Sequence, residues 1–503
     1  MIGPESIGMD VTFVGYEHVY GIPEHAAPFS LKSTSSGESE YTEPYRLYNL
    51  DVFEYDLDKS SSLYGSIPFM YAHKKDKIGS SDAALLWLNA AETWIDVTRD
   101  EKRNPLAFTS QHKSTHTHWI SESGVLDLLV FLGPDSQSIF KNYGELTGYT
   151  ALPPLFSIGH HQCRWNYLNE EDVLSVDAGF DERDMPYDTI WLDIEYTDDK
   201  QYFTWDPQKF PNPEKMLDKL DTNKRKLVAI IDPHIKRRED YWVFKEGEKK
   251  DMMVKNAEGN IFDGWCWPGS SSWVDFTASK AREWWSTLFK FDKFKVSHYS
   301  AQLTQSRENL HLWNDMNEPS VFNGPEITMP KDNLHDGGLE HRDVHNIYGW
   351  WMANATATAL TQRTKKPMRP FVLTRSFFAG SQRFGAMWTG DNMAKWEHLE
   401  ITLPMLLAQG IAGMPFAGAD VGGFFGDPEP ELLVRWYQSG AFYPFFRAHA
   451  HIDTKRREPW LFGEPYTSHI RDALRLRYQL LPAIYTTFYK SSVTGLPILK
   501  YNL

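Results

Sequence analysis

From Gly133 onward the chain alternates short apolar runs with longer amphipathic segments, and this alternation limits the fold more than any other feature of the sequence. Strand-like runs that alternate with helical patterns are typical of a parallel sheet whose strands are joined by helices. We identify strand-like runs at residues 156–160, 189–193, 227–232, 309–313, 370–374, 385–388, 414–417 and 445–447. The sequence therefore predicts an α/β fold, a (β/α)8 barrel of the TIM type.

The chain before Gly133 has a different pattern. Short β-like runs are separated there by Gly, Ser, Asn and Asp residues, and a loop rich in Ser, Thr and Glu spans residues 33–43. We interpret residues 1–132 as a β-sandwich and residues 133–492 as the barrel. Within the barrel region, helices are predicted at 136–143 and at 467–490, and the second helix is expected to close the barrel.

Polar residues follow the predicted strands. In barrels of this type the functional residues lie at the carboxyl ends of the strands, so residues that follow different strands meet at one rim. The residues expected at that rim are Asp193, Asp232, Asp315, Arg375, Asp391, Asp420 and His449.

Two of these aspartates suggest a chemistry. Asp315 lies in the run Leu-Trp-Asn-Asp-Met-Asn-Glu-Pro-Ser, directly after an apolar segment, and Asp391 lies in Trp-Thr-Gly-Asp-Asn. Cleavage of a glycosidic bond needs one acid to protonate the leaving oxygen and one anion to stabilise or capture the anomeric carbon. The alternatives are structural: Asp315 as an aspartate that holds a loop at the rim, and Asp391 as part of a Gly-Asp-Asn turn.

Composition excludes several functions. The net charge of −15 argues against a nucleic-acid partner. The uncharged run 401–419 is long enough to span a membrane, but Pro404, Gly410 and Pro415 interrupt it, which favours a buried helix, turn and strand. Cys163 and Cys266 allow either one disulfide or two free thiols. We predict no cofactor and no metal, because His160-His161 and the His449/His451 pair lack Cys partners and a helix-spaced acid.

Separated sequence blocks resemble one known family. They are Arg-Leu-Tyr-Asn-Leu-Asp at 46–51, Trp-Leu-Asp-Ile-Glu at 191–195 with Tyr-Phe-Thr-Trp-Asp at 202–206, the Asp315 run extended through Glu326, and Arg-Ser-Phe-Phe-Ala-Gly-Ser-Gln at 375–382 before Asp391. In this order they resemble the retaining α-glucosidases of glycoside hydrolase family thirty-one, over residues 11–497. The resemblance implies that the sandwich is only partial, that residues 493–503 begin a C-terminal β region, and that residues 295–305 are an insertion.

The same resemblance implies roles for particular residues. Asp315 is expected to be the nucleophile, with its pKa kept low by Asn314, Asn317 and a guanidinium, and Asp391 the general acid/base, with its pKa raised by burial and by Asp315. The residues expected to bind the sugar are Asp51, Asp193, Trp267, Met316, Arg375, Phe424 and His449. Asp232, Glu318 and Asp420 are expected to orient these groups. Asp51 lies on a loop of the partial sandwich, and because the resemblance implies that the sandwich is shortened, this loop is expected to be poorly held.

The function implied by the resemblance is an exo-acting, retaining α-glucosidase that removes terminal α-linked glucose. Its expected setting is the trimming of N-linked glycans in the endoplasmic-reticulum lumen, with a non-catalytic β subunit as partner. Two alternatives stay open: a neutral α-glucosidase acting on maltose-like or glycogen-derived oligosaccharides, and a truncated product that binds sugar or a partner subunit without turnover. Residues 1–5 do not have the pattern of a signal peptide.

Overall fold

The computed structural model of the protein describes residues 5–34, 40–75, 80–100, 113–296 and 307–500. Part of the loop predicted at 33–43 and most of the insertion predicted at 295–305 lie outside the described residues. Residues 1–4 and 501–503 also lie outside them.

The amino-terminal region consists of two antiparallel four-stranded sheets. Their strands are β1 (Ile7–Phe13), β2 (Val19–Gly21), β3 (Tyr45–Leu47), β4 (Phe69–Lys75), β5 (Ser80–Trp87), β6 (Thr93–Arg99), β7 (Thr115–Ser121) and β8 (Leu128–Gly133). One sheet has the order β1-β7-β6-β3 and the other has the order β2-β4-β5-β8. The two sheets enclose an apolar core, so the predicted sandwich is confirmed.

The central strands of the second sheet, β4 and β5, are mostly buried on both faces. Met70 and Ala72 of β4 point into the core between the sheets, whereas Phe69 and Tyr71 point to the opposite side and pack against an adjoining helix. Successive side chains of a strand alternate between faces, so a slip of one residue would exchange these two sets. Burial on both faces therefore fixes the register and joins the sandwich to the rest of the protein.

The remaining strands of the described residues include the barrel. They are β9 (His160–Gln162), β10 (Thr189–Leu192), β11 (Thr204–Trp205), β12 (Lys226–Ile230), β13 (His234–Lys236), β14 (Gly264–Cys266), β15 (Gly269–Trp273), β16 (Lys295–Val296), β17 (Leu310–Asn314), β18 (Val372–Thr374), β19 (Ala386–Trp388), β20 (Ala417–Gly418) and β21 (Phe446–Ala448). Eight of them form one parallel sheet in the order β20-β19-β18-β17-β12-β10-β9-β21.

The sheet closes on itself. Phe445 N donates to Ala417 O at 3.0 Å, and Val421 N donates to Arg447 O at 3.0 Å. These bonds join β20 to β21, the two ends of the strand order, so all eight strands form a ring. The predicted (β/α)8 barrel is confirmed.

Helices surround the barrel. They are α1 (Ser136–Thr147), α2 (Glu170–Glu182), α3 (Pro213–Thr222), α4 (Trp242–Lys249), α5 (Ser279–Leu288), α6 (His341–Val344), α7 (Tyr348–Gln362), α8 (Trp396–Ile411), α9 (Pro430–Gly440) and α10 (Tyr466–Thr494). A loop with a single 3-10 turn, Ser381–Arg383, joins β18 to β19. α10 covers the helix predicted at 467–490, and α8 with β20 confirms the buried helix, turn and strand predicted at 401–419.

The first barrel strand was predicted at the wrong place. Residues Leu155–Ile158 form a 3-10 turn, and β9 begins only at His160. A short apolar run does not distinguish a strand from a turn by periodicity alone. Here Pro153 and Pro154 precede the run and remove two backbone donors, and Leu155 points to solvent.

Cys163 and Cys266 are both buried free thiols.

Candidate active site

A cavity opens at the carboxyl ends of the barrel strands. The two predicted catalytic residues and all seven predicted sugar-binding residues line the cavity: Asp51, Asp193, Trp267, Asp315, Met316, Arg375, Asp391, Phe424 and His449. Residues separated by up to 398 positions in the chain thus meet in one cavity, with Asp51 coming from the sandwich and the others from the barrel region.

Arg375 is the centre of the charged part of the cavity. It follows β18 directly and is 2% exposed. Its Nε and Nη2 donate to the two carboxylate oxygens of Glu318 at 2.7 and 2.8 Å. The parallel, charge-assisted pair fixes the plane of the guanidinium. The remaining edges of the guanidinium then face the cavity.

Three further carboxylates surround the same guanidinium. Asp315 Oδ1 lies 3.1 Å from Nε, Asp51 Oδ1 lies 3.2 Å from Nη2, and Asp391 Oδ2 lies 3.8 Å from Nη1. Asp315 follows β17, and Asp391 follows β19. Two acids from β17 and β19, the strands on either side of β18, therefore reach one cation and one cavity.

The surroundings of the two aspartates shift their pKa values to different extents. Burial raises the pKa of Asp391 well above its ordinary value, and the charge of Asp315 raises it further, while the more distant Arg375 lowers it. Burial also raises the pKa of Asp315, but Arg375 opposes this at 3.1 Å. A pair of acids whose environments differ in this way is typical of a site with one proton donor and one anion.

The predicted neighbours of Asp315 are partly wrong. Asn314 Nδ2 donates to Ile231 O at 3.1 Å, and Asn317 Nδ2 donates to Thr374 Oγ1 at 2.9 Å, so both amides stabilise the strand ends. The guanidinium is the expected one, Arg375. The prediction that the pKa of Asp315 is low is also wrong, because burial of the carboxyl has the larger effect.

Asp51 is held firmly, contrary to the expectation from the sequence. Its Oδ2 accepts a hydrogen bond from Ser320 Oγ at 2.7 Å. Two residues earlier, Asn49 Nδ2 donates to Asn346 O and to Ser376 Oγ at 3.0 and 2.8 Å. Asp51 is 4% exposed. The sandwich loop is thus fixed by the barrel loops rather than by its own sheet.

Asp193 and His449 form the opposite wall. Asp193 Oδ1 accepts from Ile194 N at 2.8 Å and caps a 3-10 turn, while Oδ2 lies 3.6 Å from His449 Nε2. Burial raises the pKa of Asp193 to about 8. Burial also lowers the pKa of His449 well below its usual value, so this imidazole is neutral at neutral pH. Asp193 therefore both caps the 3-10 turn and lines the cavity.

The other predicted acids lie behind the wall. Asp232 accepts from Tyr202 Oη and lies 3.6 Å from His234 Nε2. Asp420 accepts from Arg447 Nη2 at 2.7 Å, and burial raises the pKa of Asp420 to about 6. The Arg447 guanidinium lies 4.8–4.9 Å from the rings of Trp191, Trp313 and Trp388. Stacked aromatic rings stabilise this buried cation beneath the cavity.

Sequence reasoning missed part of the cavity lining, much of it aromatic. The missed residues are Phe53, Trp165, Ile194, Ile230, Trp313, Phe425 and His451. Trp165 contacts Trp267 and His451 edge to face, with ring centroids 5.3 and 4.9 Å apart. Trp165 follows β9 and His451 follows β21. A search for aromatic residues just after the barrel strands, as was made for polar residues, would have found both.

Two further findings concern only the described parts of the chain. They contain no cluster of three or more His, Cys, Asp or Glu side chains arranged to hold a metal ion. Among their helices, none combines the length and apolar character that a membrane crossing requires.

A closed β/α barrel whose strand ends present paired acids and aromatic rings in one cavity has the architecture of the TIM-barrel glycoside hydrolases. Residues 150–487 match the TIM-barrel domain of glycosyl hydrolases family 31, and residues 2–96 match the N-terminal galactose mutarotase-like domain of glycosyl hydrolase 31. The chain belongs to glycosyl hydrolase family 31.

Curated and solved relatives agree with this family. The chain is 56% identical over 498 residues to "Glucosidase 2 subunit alpha" of Schizosaccharomyces pombe, covering 99% of the chain and 52% of that protein. Two crystal structures match with a TM-score of 0.94 and 60% identity, each match covering 99% of this chain and 53% of the solved chain. One is a glucosidase II alpha subunit bound to alpha3-Glc2, and the other is an ER glucosidase II heterodimeric complex of the catalytic subunit and the binding domain of the regulatory subunit. The chain spans about half the length of these relatives.

Replacement of Arg375 by methionine is expected to destabilise the protein by about 3–5 kcal/mol, because it leaves buried carboxylates without their cation. The free energy of unfolding from denaturant titration measures this. Exposed Arg435→Met, which breaks a surface pair with Glu431, is the matched control and is expected to cost less than about 1 kcal/mol. Equal losses in the two variants would contradict the central role of Arg375.

Proposed function

We propose that the protein is a retaining exo-α-glucosidase that hydrolyses terminal α-linked glucose from oligosaccharides. The observation that carries the proposal is that Asp315 and Asp391 face one cavity against one guanidinium, with Asp315 nearer to the cation. The anion belongs to the acid nearer the positive charge, and the proton belongs to the acid that burial makes weaker.

In the proposed reaction Asp391 donates its proton to the glycosidic oxygen as the bond to the anomeric carbon breaks. The Asp315 carboxylate attacks that carbon and forms a glucosyl ester, and the aglycone leaves as an alcohol. Asp391, now a carboxylate, takes a proton from water as the water attacks the anomeric carbon and breaks its bond to the Asp315 oxygen. Asp315 is released and Asp391 is protonated again, so each displacement inverts the carbon and the product retains the α configuration.

The sugar-binding roles follow from the walls of the cavity. Asp51, Asp193 and neutral His449 offer hydrogen-bond partners for the glucose hydroxyls, and a charge-assisted bond to Asp51, which pairs with Arg375, discriminates the orientation of a hydroxyl. Trp267, Met316 and Phe424 offer apolar faces for the C–H surface of the ring. Arg375 orients both acids and is itself held by Glu318, while Asp232 and Asp420 bond to Tyr202 and Arg447 and support the wall from behind.

We propose glucosylated N-linked glycans as the substrate, the endoplasmic-reticulum lumen as the compartment and a non-catalytic β subunit as the partner. The support is the likeness to a subunit solved with a disaccharide termed alpha3-Glc2 and to an ER heterodimer with a regulatory subunit. We also propose the division into a sandwich at 1–132, a catalytic barrel at 133–492 and the start of a C-terminal β region at 493–503.

Product analysis on α-1,3- and α-1,4-linked glucose disaccharides tests the proposal. We expect glucose release from the α-1,3 linkage at a clearly higher kcat/KM, with ¹H NMR showing α-glucose as the first product. Faster cleavage of the α-1,4 linkage would favour a neutral α-glucosidase for maltose-like substrates. If the protein binds glucose but its turnover of either linkage is no higher than that of Asp315→Asn, the non-catalytic alternative is favoured.

A further inference from the structure

A chain of three buried histidines runs from the protein surface to the loop that carries Asp51. His335 Nδ1 lies 2.7 Å from Asp275 Oδ1, His335 Nε2 lies 2.9 Å from His341 Nδ1, and His341 Nε2 lies 2.8 Å from His345 Nδ1. The last member, His345 Nε2, lies 2.7 Å from the backbone oxygen of Asn49. All three imidazoles are at most 5% exposed. We call Asp275, His335, His341 and His345 the histidine relay.

The ends of the relay fix the number of its protons. The carbonyl of Asn49 only accepts, so His345 Nε2 carries a hydrogen and His345 Nδ1 accepts from His341. The same reasoning makes His341 Nδ1 accept from His335 Nε2. The bond between His335 Nδ1 and Asp275 then needs one more hydrogen. Three neutral imidazoles and a carboxylate lack that hydrogen, so the intact relay holds one extra proton.

The extra proton belongs on the histidine side. Asp275 already accepts from Thr277 Oγ1 at 2.6 Å and from Asp336 N at 2.7 Å, which favours its carboxylate form. Burial tends to raise the pKa of Asp275, but His335 and these donors lower it overall. Burial lowers the pKa of His341 and His345, and Lys331 lowers both further. The hydrogen bonds therefore place the extra proton in the contact between His335 Nδ1 and Asp275 Oδ1.

Other groups around the relay keep this order. Tyr48 stacks on His345 with ring centroids 4.0 Å apart, and Arg46 and Lys331 lie over the same Tyr48 ring. These cations disfavour charge on His345, and Glu326 only partly offsets them. Tyr348 faces His335 and His341 and donates its hydroxyl to Val274 O. At the outer end, Asp275 and His335 line a surface cleft with Asp251, Lys255, Lys280 and Asp336.

The inner end of the relay contacts the Asp51 loop, which in turn bonds to the loop that carries Arg375. Asn49 accepts from His345, and its side chain donates to Ser376 Oγ, next to Arg375. Asn346, the residue after His345, accepts from Asn49 N at 2.9 Å. Asp51 lies two residues beyond Asn49 and pairs with Arg375. A loss of the His345 bond would remove one of the contacts that hold the Asp51 loop.

We propose that His335, His341 and His345 are positioning residues that, with one shared proton balanced by Asp275, hold the Asp51 loop in place for glucose binding. The inference deepens the proposed function, on which it rests. Loss of the extra proton at alkaline pH leaves three N–H donors for four bonds, so the bond to Asn49 is no longer made in every molecule. Glucose binding is then expected to weaken as the pH rises.

Two variants separate the proton from the hydrogen bonds. His341→Phe breaks the relay in its middle. Asp275→Asn can donate an amide N–H to His335 Nδ1, so all four bonds persist with no extra proton. His160→Phe removes another buried imidazole, at the start of β9, and serves as the matched control. D-glucose is the probe, because it is neutral and any difference in pH dependence between variants belongs to the protein.

We expect His341→Phe to raise the Kd for glucose and the KM for an α-glucoside about tenfold, as for one lost hydrogen bond to the loop, with a smaller change in kcat. Asp275→Asn is expected to match the wild type at pH 6.5 and to bind glucose better than the wild type at alkaline pH. His160→Phe is expected to leave Kd and KM unchanged. Unchanged glucose binding in His341→Phe, or Asp275→Asn as weak as His341→Phe at pH 6.5, would overturn the proposal.

A readout without sugar keeps the two proposals separate. ¹⁵N-histidine NMR of the wild type is expected to show one doubly protonated imidazole among the three, and Asp275→Asn to show none. A protein that fails to hydrolyse α-glucosides but shows this pattern refutes the proposed function and leaves the relay supported. A wild type with three neutral relay imidazoles refutes the relay, whatever the activity.

Discussion

Replacement of Asp315 by alanine is expected to lower kcat for an aryl α-glucoside by about 10⁴-fold or more, because the glucosyl ester can no longer form. The cavity should keep its shape, since Arg375 retains its bidentate pair with Glu318. Folding is checked by thermal unfolding, and activity by release of the phenol. Asp10→Ala, at an exposed ion pair with His118 on the sandwich, is the matched control and should keep full activity.

A chemical rescue distinguishes a nucleophile from a structural aspartate. Azide can occupy the space left by the Asp315 carboxylate and attack the anomeric carbon directly, in a single inversion. Added azide is therefore expected to restore turnover of a substrate with a good leaving group and to give β-glucosyl azide. Loss of activity with no rescue and a lowered unfolding temperature would assign Asp315 a purely structural role.

Replacement of Asp391 by asparagine is expected to lower kcat by about 10²–10⁴-fold for substrates whose leaving group needs a proton, and by less for those that do not. Asp391 must be protonated in the free enzyme. Burial and Asp315 raise its pKa, so the active form persists to higher pH than for an ordinary aspartate, and kcat/KM falls as the pH rises through that pKa.

The pH profile of the variant is the sharper test. Asparagine does not titrate, so the alkaline fall due to Asp391 should be absent from kcat/KM of the variant while any contribution of the histidine relay remains. Azide should give α-glucosyl azide here, because it attacks the ester already formed on Asp315. An unchanged alkaline fall, or β-glucosyl azide as the product, would contradict the assignment of Asp391 as acid/base.

The expected losses bear on how the site works as a unit. Arg375 touches Asp51, Asp315 and Glu318 and approaches Asp391, so a change at any one acid alters the field at the others. Effects of double variants are therefore expected to be non-additive. A variant with both Asp315 and Asp391 replaced should lose little more activity than Asp315→Ala alone.

The sequence predicted the barrel well because its strands are local features. Runs such as 189–193 and 309–313 are bounded by turns and followed by acids, and both lie within one residue of β10 and β17. Prediction failed where an apolar run was too short to identify its conformation, as at 155–158. The same limit hid Trp165, whose role depends on where β9 ends.

By itself, the sequence determined the order of the strands, the acids at their ends and the resemblance to one family, because these depend on neighbours along the chain. Tertiary structure decided that Asp51 of the sandwich and three barrel acids surround Arg375, that Asn314 and Asn317 point elsewhere, and that the histidine relay reaches Asn49. The physical reason is that burial, charge and proton affinity depend on atoms brought together from distant parts of the chain.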